Sequence, residues 1–124
     1  MKKLLILLFS ILISFNSHGE WQEIYEDYRS TYFIDTDRIK ERDGYVYYHI
    51  LDVFSKDLEE AYGTSKIERY FEGDCVVYRY TELTGIWYKV DGKRNLETYN
   101  SNWKYPFSDS RQGRWLNYVC DYVD

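Results

Sequence analysis

The stretch Tyr45–Phe54, YVYYHILDVF, decides the fold of this chain. Successive side chains of a β-strand point to opposite faces of the sheet. Here both faces carry large apolar side chains: Val46, Tyr48 and Ile50 on one, and Tyr45, Tyr47, Leu51 and Val53 on the other. A strand that is apolar on both faces is typical of the interior of a sheet. We therefore expect Tyr45–Phe54 to be a central strand.

Shorter alternating runs on both sides of this stretch predict further strands. Turn residues separate the runs: Asp35-Thr36-Asp37, Glu41-Arg42-Asp43-Gly44 and Gly73-Asp74, with Asp91-Gly92 as the clearest hairpin signal. The runs cover residues 21–28, 31–34, 64–71, 75–80, 86–90 and 93–99. They predict a single antiparallel sheet of about six strands.

The C-terminal segment has a different period. Ser108 and Asp109 are N-cap candidates, and Asp109 with Gln112 resembles a capping box. Apolar residues then follow helical spacing at Trp115, Leu116, Val119, Cys120 and Val123. Gly113 lowers the helix propensity by about 1 kcal/mol relative to Ala. We still predict a helix over residues 109–122, and hence an α+β fold with this helix on one face of the sheet.

Length and composition narrow the function classes. The chain has 124 residues, the size of one domain, and carries 15 Tyr, 6 Phe and 4 Trp. Such a composition has enough apolar surface to fold, which excludes a disordered tail. The formal net charge of −5 argues against a nucleic-acid partner, because phosphate binding needs a basic surface.

The first 19 residues have the layout of a secretory signal peptide. Lys2 and Lys3 precede the apolar stretch Leu4–Phe15, and Ser17-His18-Gly19 offers small residues for cleavage. The apolar stretch is too short for a membrane anchor, which needs roughly 20 residues. We expect residues 1–19 to be removed and residues 20–124 to form the exported domain, which spans no membrane. No cysteine lies near the cleavage site, so there is no lipobox, and the destination is the periplasm, the cell surface or the medium.

Cys75 and Cys120 are the two cysteines of the chain. Cys75 starts a predicted strand and Cys120 lies on the apolar face of the predicted helix. Two cysteines in an exported protein usually pair, so we predict a structural disulfide that tethers the helix to the sheet. The competing interpretation is a reactive thiol with His49 as its base.

The sequence contains no convincing catalytic, cofactor or metal motif. It lacks a nucleophile elbow, a phosphate-binding glycine loop and a Cys-x-x-Cys pair. Asp35-Thr36-Asp37 resembles the start of a calcium loop, but Ile39 stands where an oxygen ligand belongs. We expect no cofactor, no metal and no enzyme activity. A hydrolase that uses two carboxylates stays open as an alternative.

The tyrosines are the remaining functional signal. Half-buried strands favour aromatic residues, which accounts for many of them. One helix covers only one face of a sheet, so tyrosines on the other face must be exposed or covered by a partner or a second copy of the chain. The candidate binding surface consists of Tyr45, Tyr47, Tyr48, Tyr78, Tyr80 and Tyr88.

The order of several motifs resembles the surface-adhesin protein E family of Gram-negative bacteria. The resemblance starts at Trp21 and includes Tyr32-Phe33-Ile34-Asp35 with Ile39. It continues through Leu51-Asp52, Ser65 and Asp74-Cys75, and it ends with Trp103, Pro106, Ser108 and Val119-Cys120. It implies an antiparallel sheet with a C-terminal helix disulfide-bonded to the concave face.

The same resemblance implies binding of host extracellular-matrix and serum proteins such as vitronectin, laminin and plasminogen. Our leading hypothesis is thus a non-enzymatic exported binding protein, and a homodimer is compatible with it. The alternative is a periplasmic inhibitor of a host or cell-wall enzyme such as lysozyme, because an acidic surface suits a basic enzyme.

Overall fold

The computed structural model describes residues 21–124, so the predicted signal peptide, residues 1–19, lies outside the described residues. Within the described residues, seven strands and two helices follow one another, with a short 3₁₀ turn at Thr36–Arg38. They are β1 (Trp21–Glu26), β2 (Ser30–Asp35), β3 (Lys40–Arg42), β4 (Tyr45–Phe54), α1 (Lys56–Tyr62), β5 (Thr64–Asp74), β6 (Arg79–Lys89), β7 (Arg94–Thr98) and α2 (Arg111–Val123).

The described strands form one antiparallel sheet in the order β1-β2-β4-β5-β6-β7, and β3 pairs with β4. The α+β prediction is therefore confirmed. Strand β4 pairs with β2 and β3 and, over most of its length, with β5. Its interior position explains why both of its faces carry large apolar side chains.

Helix α2 packs on one face of this sheet, which we call the helix face. Trp115, Leu116 and Val119 are buried there. The Trp115 ring lies 5.2 Å from the ring of Tyr32 and 5.6 Å from that of Phe71. Each large side chain buried in this way contributes about 1.5–3 kcal/mol to folding. The hydrophobic core thus lies between α2 and the sheet.

A disulfide joins Cys75 to Cys120 across 45 residues, with the two Cα atoms 5.8 Å apart. The predicted pairing is confirmed, but the predicted strand over 75–80 is wrong at its start. Residues 75–78 form the turn between β5 and β6. The Asp74 carboxylate causes this, because it accepts hydrogen bonds from the N–H groups of Val76 and Val77 at 3.0 and 3.1 Å.

Several other boundaries differ from the prediction. Strand β6 runs without interruption, although the sequence predicted two separate strands over 75–80 and 86–90. Its long pairing with β5 keeps the residues between them in the sheet. Helix α2 begins after Ser110, whose hydroxyl accepts from the Gly113 N–H at 3.0 Å. The predicted cap at Asp109 is therefore wrong. The short edge strand β3 lies partly in a segment that was predicted as a turn.

Candidate functional site

The face of the sheet opposite α2, which we call the open face, carries the side chains that alternate with the core. Val46, Tyr48 and Ile50 of β4 are buried on the helix face, whereas Tyr47 and His49 between them are partly exposed. Helix α1 does not cover the open face, because it borders the helix face with Leu58 and Tyr62. The open face is therefore a surface that neither helix covers.

The first group of residues on the open face surrounds Tyr47. Its hydroxyl donates to the Glu72 carboxylate at 2.7 Å, and the Arg42 guanidinium lies 4.3 Å from the centre of its ring. The hydrogen bond to Glu72 raises the pKa of Tyr47, so the phenol keeps its proton. Tyr70 on β5 lies beside it, with the ring centres 6.2 Å apart. Aromatic, cationic and acidic groups thus meet at one point of the surface.

His49 continues this group along β4. Its ring stacks on Tyr70 with the centres 4.4 Å apart. Burial, assisted by the positive charge of Arg38, lowers the pKa of His49 below 6.5, so the imidazole is neutral at neutral pH. Its Nδ1 atom has no hydrogen-bond partner among the described residues. His49 therefore presents an aromatic ring with an unused polar atom rather than a charge.

A second group surrounds Tyr88 on β6. The Lys66 ammonium and the Arg94 guanidinium lie 5.0 and 5.5 Å from the centre of the Tyr88 ring. The Tyr88 hydroxyl donates to Glu68 at 3.3 Å, and Arg38 donates to the other oxygen of Glu68 at 2.9 Å. Each positive charge on this part of the face is thus matched by a ring or a carboxylate.

The six tyrosines of the candidate surface do not lie together. Tyr47 and Tyr88 lie on the open face, and Tyr45 is partly covered there by Trp103, with ring centres 5.5 Å apart. Tyr48 and Tyr80 are 1% and 9% exposed. They belong to the core because their side chains lie on the face that α2 covers. Their assignment to the candidate binding surface was therefore wrong.

Tyr78 links the turn between β5 and β6 to helix α2. Its hydroxyl donates to Asn117 on α2 at 2.8 Å, and its backbone has a positive φ of 63°. Such a φ is uncommon outside glycine, and the bond to α2 helps to hold it. This residue therefore positions the helix rather than offering a binding surface.

Sequence reasoning missed His49, Tyr70 and Trp103 as parts of the surface. The alternation of β4 carried the signal for His49, which lies between the core residues Tyr48 and Ile50. The contact of Tyr70 with Tyr47 depends on the pairing of His49 with Tyr70 across β4 and β5. No pattern in one strand predicts that register.

Within residues 21–124, no group of His, Cys, Asp or Glu is arranged to hold a metal ion. Asp35 instead ends β2 and accepts the N–H of Asp37 at 3.1 Å, which caps the 3₁₀ turn. Over the same residues, no helix is long and apolar enough to cross a membrane.

The fold and the open face define a small, disulfide-bonded sheet domain whose exposed chemistry is suited to recognition. The profile of the surface-adhesin protein E family matches residues 21–121, which is most of the chain. The chain belongs to this family, and the family implies an exported or surface protein. No curated protein and no solved structure matches it significantly.

Proposed function

We propose that this protein is an exported, non-enzymatic adhesin that binds a host extracellular-matrix or serum protein through its open face. The observation that carries the proposal is that α2 lies on the helix face, where the Cys75–Cys120 disulfide holds it. The open face is thereby left to a partner. Vitronectin, laminin and plasminogen are the candidate partners, through membership of the adhesin family.

The chemistry of the open face supports this proposal. Tyrosine and arginine are the residue types that dominate the binding energy of many protein interfaces. Here Tyr47 and Tyr70 lie side by side with Arg42 over the Tyr47 ring. A side chain held in place by such neighbours loses little conformational entropy when a partner binds.

The test is binding of the purified, oxidised protein to immobilised vitronectin, laminin and plasminogen. The double variant Tyr47→Ala/Tyr70→Ala should weaken the interaction by about tenfold or more, since truncation of a central aromatic costs more than about 1 kcal/mol. The matched control is Tyr28→Ala, because Tyr28 is 89% exposed but lies in the turn between β1 and β2. Absence of binding to all three proteins at micromolar concentration, with the fold intact, contradicts the proposal.

Inhibition of a basic enzyme is the second candidate function, and the net charge of −5 favours it. Such charge complementarity mainly accelerates association. A lysozyme activity assay in the presence of the protein separates the two functions. Inhibition that survives Tyr47→Ala/Tyr70→Ala would assign the activity to another surface.

Localisation and assembly complete the proposal. We propose cleavage after Gly19 and export to the periplasm, the surface or the medium, which fractionation of the source cell distinguishes.

A homodimer is tested by light scattering of the purified protein. The edge strand β7 is exposed along its whole length and carries Arg94 and Glu97, charges of the kind that discourage pairing of sheet edges.

A further inference from the structure

The helix face contains a groove that α2 does not fill. It has a volume of about 280 Å³ and is walled by Ile67 and Trp87 of the sheet and by Leu58 and Tyr62 of α1. A smaller pocket of about 110 Å³ adjoins it near the first turn of α2. The two cavities share Asp52, Arg69 and Arg111, so they form one concave surface. We call the part beside Trp87 and Tyr62 the outer groove and the part beside Trp115 the inner pocket.

Fixed charges line the inner pocket. The Arg69 guanidinium donates to Asp52 at 3.3 Å and to Glu82 at 3.1 Å. Arg111 is held in turn by Asp27 at 2.9 Å. Burial raises the pKa of Glu82, although the nearby Arg69 opposes this. Lys104 also lines this pocket, and its positive charge acts on Glu82. The three positive groups are thus balanced by Asp52, Glu82 and Asp27, so the pocket favours neither a free cation nor a free anion.

Three buried polar atoms at this pocket have no hydrogen-bond partner among the described residues: Asp52 Oδ1, Arg111 Nε and Trp115 Nε1. All three residues line the inner pocket. The first atom is an acceptor and the other two are donors. Buried polar atoms without partners are rare in proteins and each one needs an explanation.

A hydroxyl group fits this set, because it donates one hydrogen bond and accepts two. Several hydroxyls on one small ring offer both donors and acceptors without bringing a net charge. The apolar face of the same ring would lie against Trp87 and Tyr62 in the outer groove. Pockets that bind small molecules share this combination of apolar walls and a few converging polar groups.

We propose that this concave surface binds a neutral sugar ring, one hexopyranose unit of a glycan. The hydroxyls on one edge of the ring occupy the inner pocket, and the body of the ring packs against Trp87 and Tyr62. This site lies on the face opposite the proposed adhesin surface, so each proposal can be tested independently of the other.

Nuclear magnetic resonance of the ¹⁵N-labelled oxidised protein tests the site directly. Among the described residues, Trp21, Trp87, Trp103 and Trp115 each give one indole N–H signal, which single Trp→Phe variants assign. Titration with millimolar lactose, maltose, cellobiose or chitobiose should shift the Trp115 and Trp87 signals saturably. The signals of Trp21 and Trp103 should stay in place, because neither residue lines the two cavities.

A matched pair of variants then tests whether the outer groove contributes to sugar binding. Tyr62 is 62% exposed, so Tyr62→Ala should leave the fold intact and weaken sugar binding by about fivefold, the scale of one lost aromatic contact. Tyr122 is 53% exposed near the other end of α2, and Tyr122→Ala should change nothing. Absence of a saturable shift with all four sugars overturns the proposal and assigns the three atoms to ordered water. Saturable shifts with acetate or phosphate but not with sugars overturn it as well.

Discussion

Leu116 of α2 lies directly over Gly73 of β5, at a distance that leaves no room for a side chain on the strand. A Cβ atom on Gly73 would come 2.8 Å from Leu116 Cδ1 and 3.1 Å from Val46 Cγ1. The helix approaches the sheet closely here because position 73 is glycine. Gly73 lies two residues before the turn that begins at Cys75, so packing and the disulfide fix the same part of α2.

Gly73→Ala should therefore destabilise the protein by about 1–3 kcal/mol, the usual cost of overpacking a core. Urea unfolding of the oxidised protein measures this. Leu116→Val in the same chain should recover part of the loss, because it removes volume at the point of collision. Strictly additive effects of the two substitutions would contradict the contact.

Tyr48 and its neighbour Tyr47 should respond in opposite ways to the same substitution. Tyr48 is 1% exposed and stacks on Phe71 at 5.3 Å, so Tyr48→Ala should cost about 3–5 kcal/mol of stability. Tyr47→Ala should stay folded and lose binding to the host protein. Thermal unfolding and the binding assay, applied to both variants, check this, and equal destabilisation would contradict the assignment of the two faces.

Loss of the disulfide should destabilise the chain substantially. The bridge closes 45 residues, for which the chain-entropy argument gives about 4 kcal/mol. Cys120→Ser should lower the free energy of unfolding by up to this amount and reduce the exported yield. The reduced wild-type protein is the control and should match the variant. Two free thiols in the oxidised protein would refute the pairing.

His49 should make stability depend on pH below about pH 7. Its pKa in the folded protein lies below the ordinary value of 6.5, so the unfolded chain binds more protons in this range. The stability contribution is present above pH 6.5 and is lost as the pH falls through the folded pKa. The groups that act on the imidazole are Arg38, Glu68 and Asp35, and Tyr70 stacks on it.

Comparison with His49→Phe isolates this effect, because phenylalanine keeps the ring stacked on Tyr70 but has no proton to gain. The difference in unfolding free energy between wild type and variant, measured in urea at several pH values, should shift against the wild type as the pH falls. A difference that stays constant over this range would contradict the burial of a neutral imidazole.

Asp27 should be a stability determinant although it lies in a surface turn. It accepts the N–H groups of Arg29 and Ser30 at 2.9 and 3.0 Å and pairs with Arg111 of α2 at 2.9 Å. Burial opposes its charge, but these bonds outweigh it and lower the pKa of Asp27 below 3.8. Its contribution is therefore present above pH 3.8 and is lost as the pH falls through the folded pKa.

Asp27→Ala should cost about 1–3 kcal/mol, because it leaves these three donors and the Tyr32 hydroxyl, which donates to Asp27 at 3.4 Å, without their acceptor. The matched control is Glu23→Ala, since Glu23 is an exposed acid on β1. Urea unfolding at neutral pH measures both variants. Equal stability of the two would show that the bonds to Asp27 contribute nothing.

The class of the fold was accessible from the sequence because its signals are local. The alternation over Tyr45–Phe54 predicted a central strand, and helical spacing from Trp115 to Val123 predicted α2. Cys75 and Cys120 were predicted to pair because the chain has two cysteines and two cysteines in an exported protein usually form a disulfide. The start of α2 was misplaced because Ser110 and Asp109 are both good caps, and only the hydrogen bond to Gly113 selects Ser110.

The candidate site was only partly accessible, because exposure depends on which face a helix covers. Local reasoning also failed at Gly113, where helix propensity indicated only that glycine weakens α2. In the structure a Cβ atom at this position would collide with the Phe107 carbonyl oxygen, so glycine is required. The neighbours of Tyr47 come from β3 and β5, and the groove near Asp52 draws on residues from β2 to α2.

The sequence alone determined that the chain forms an antiparallel sheet, one C-terminal helix and one disulfide. Hydrophobic periodicity within short segments predicts the strands and the helix, and the presence of two cysteines predicts the disulfide. Only the tertiary structure decided that Tyr47 and Tyr88 face outward while Tyr48 and Tyr80 are buried. It also decided that Asp52, Arg111 and Trp115 converge on one pocket. Both outcomes follow from strand register and from the side on which α2 packs, and these are set by contacts between residues far apart in the chain.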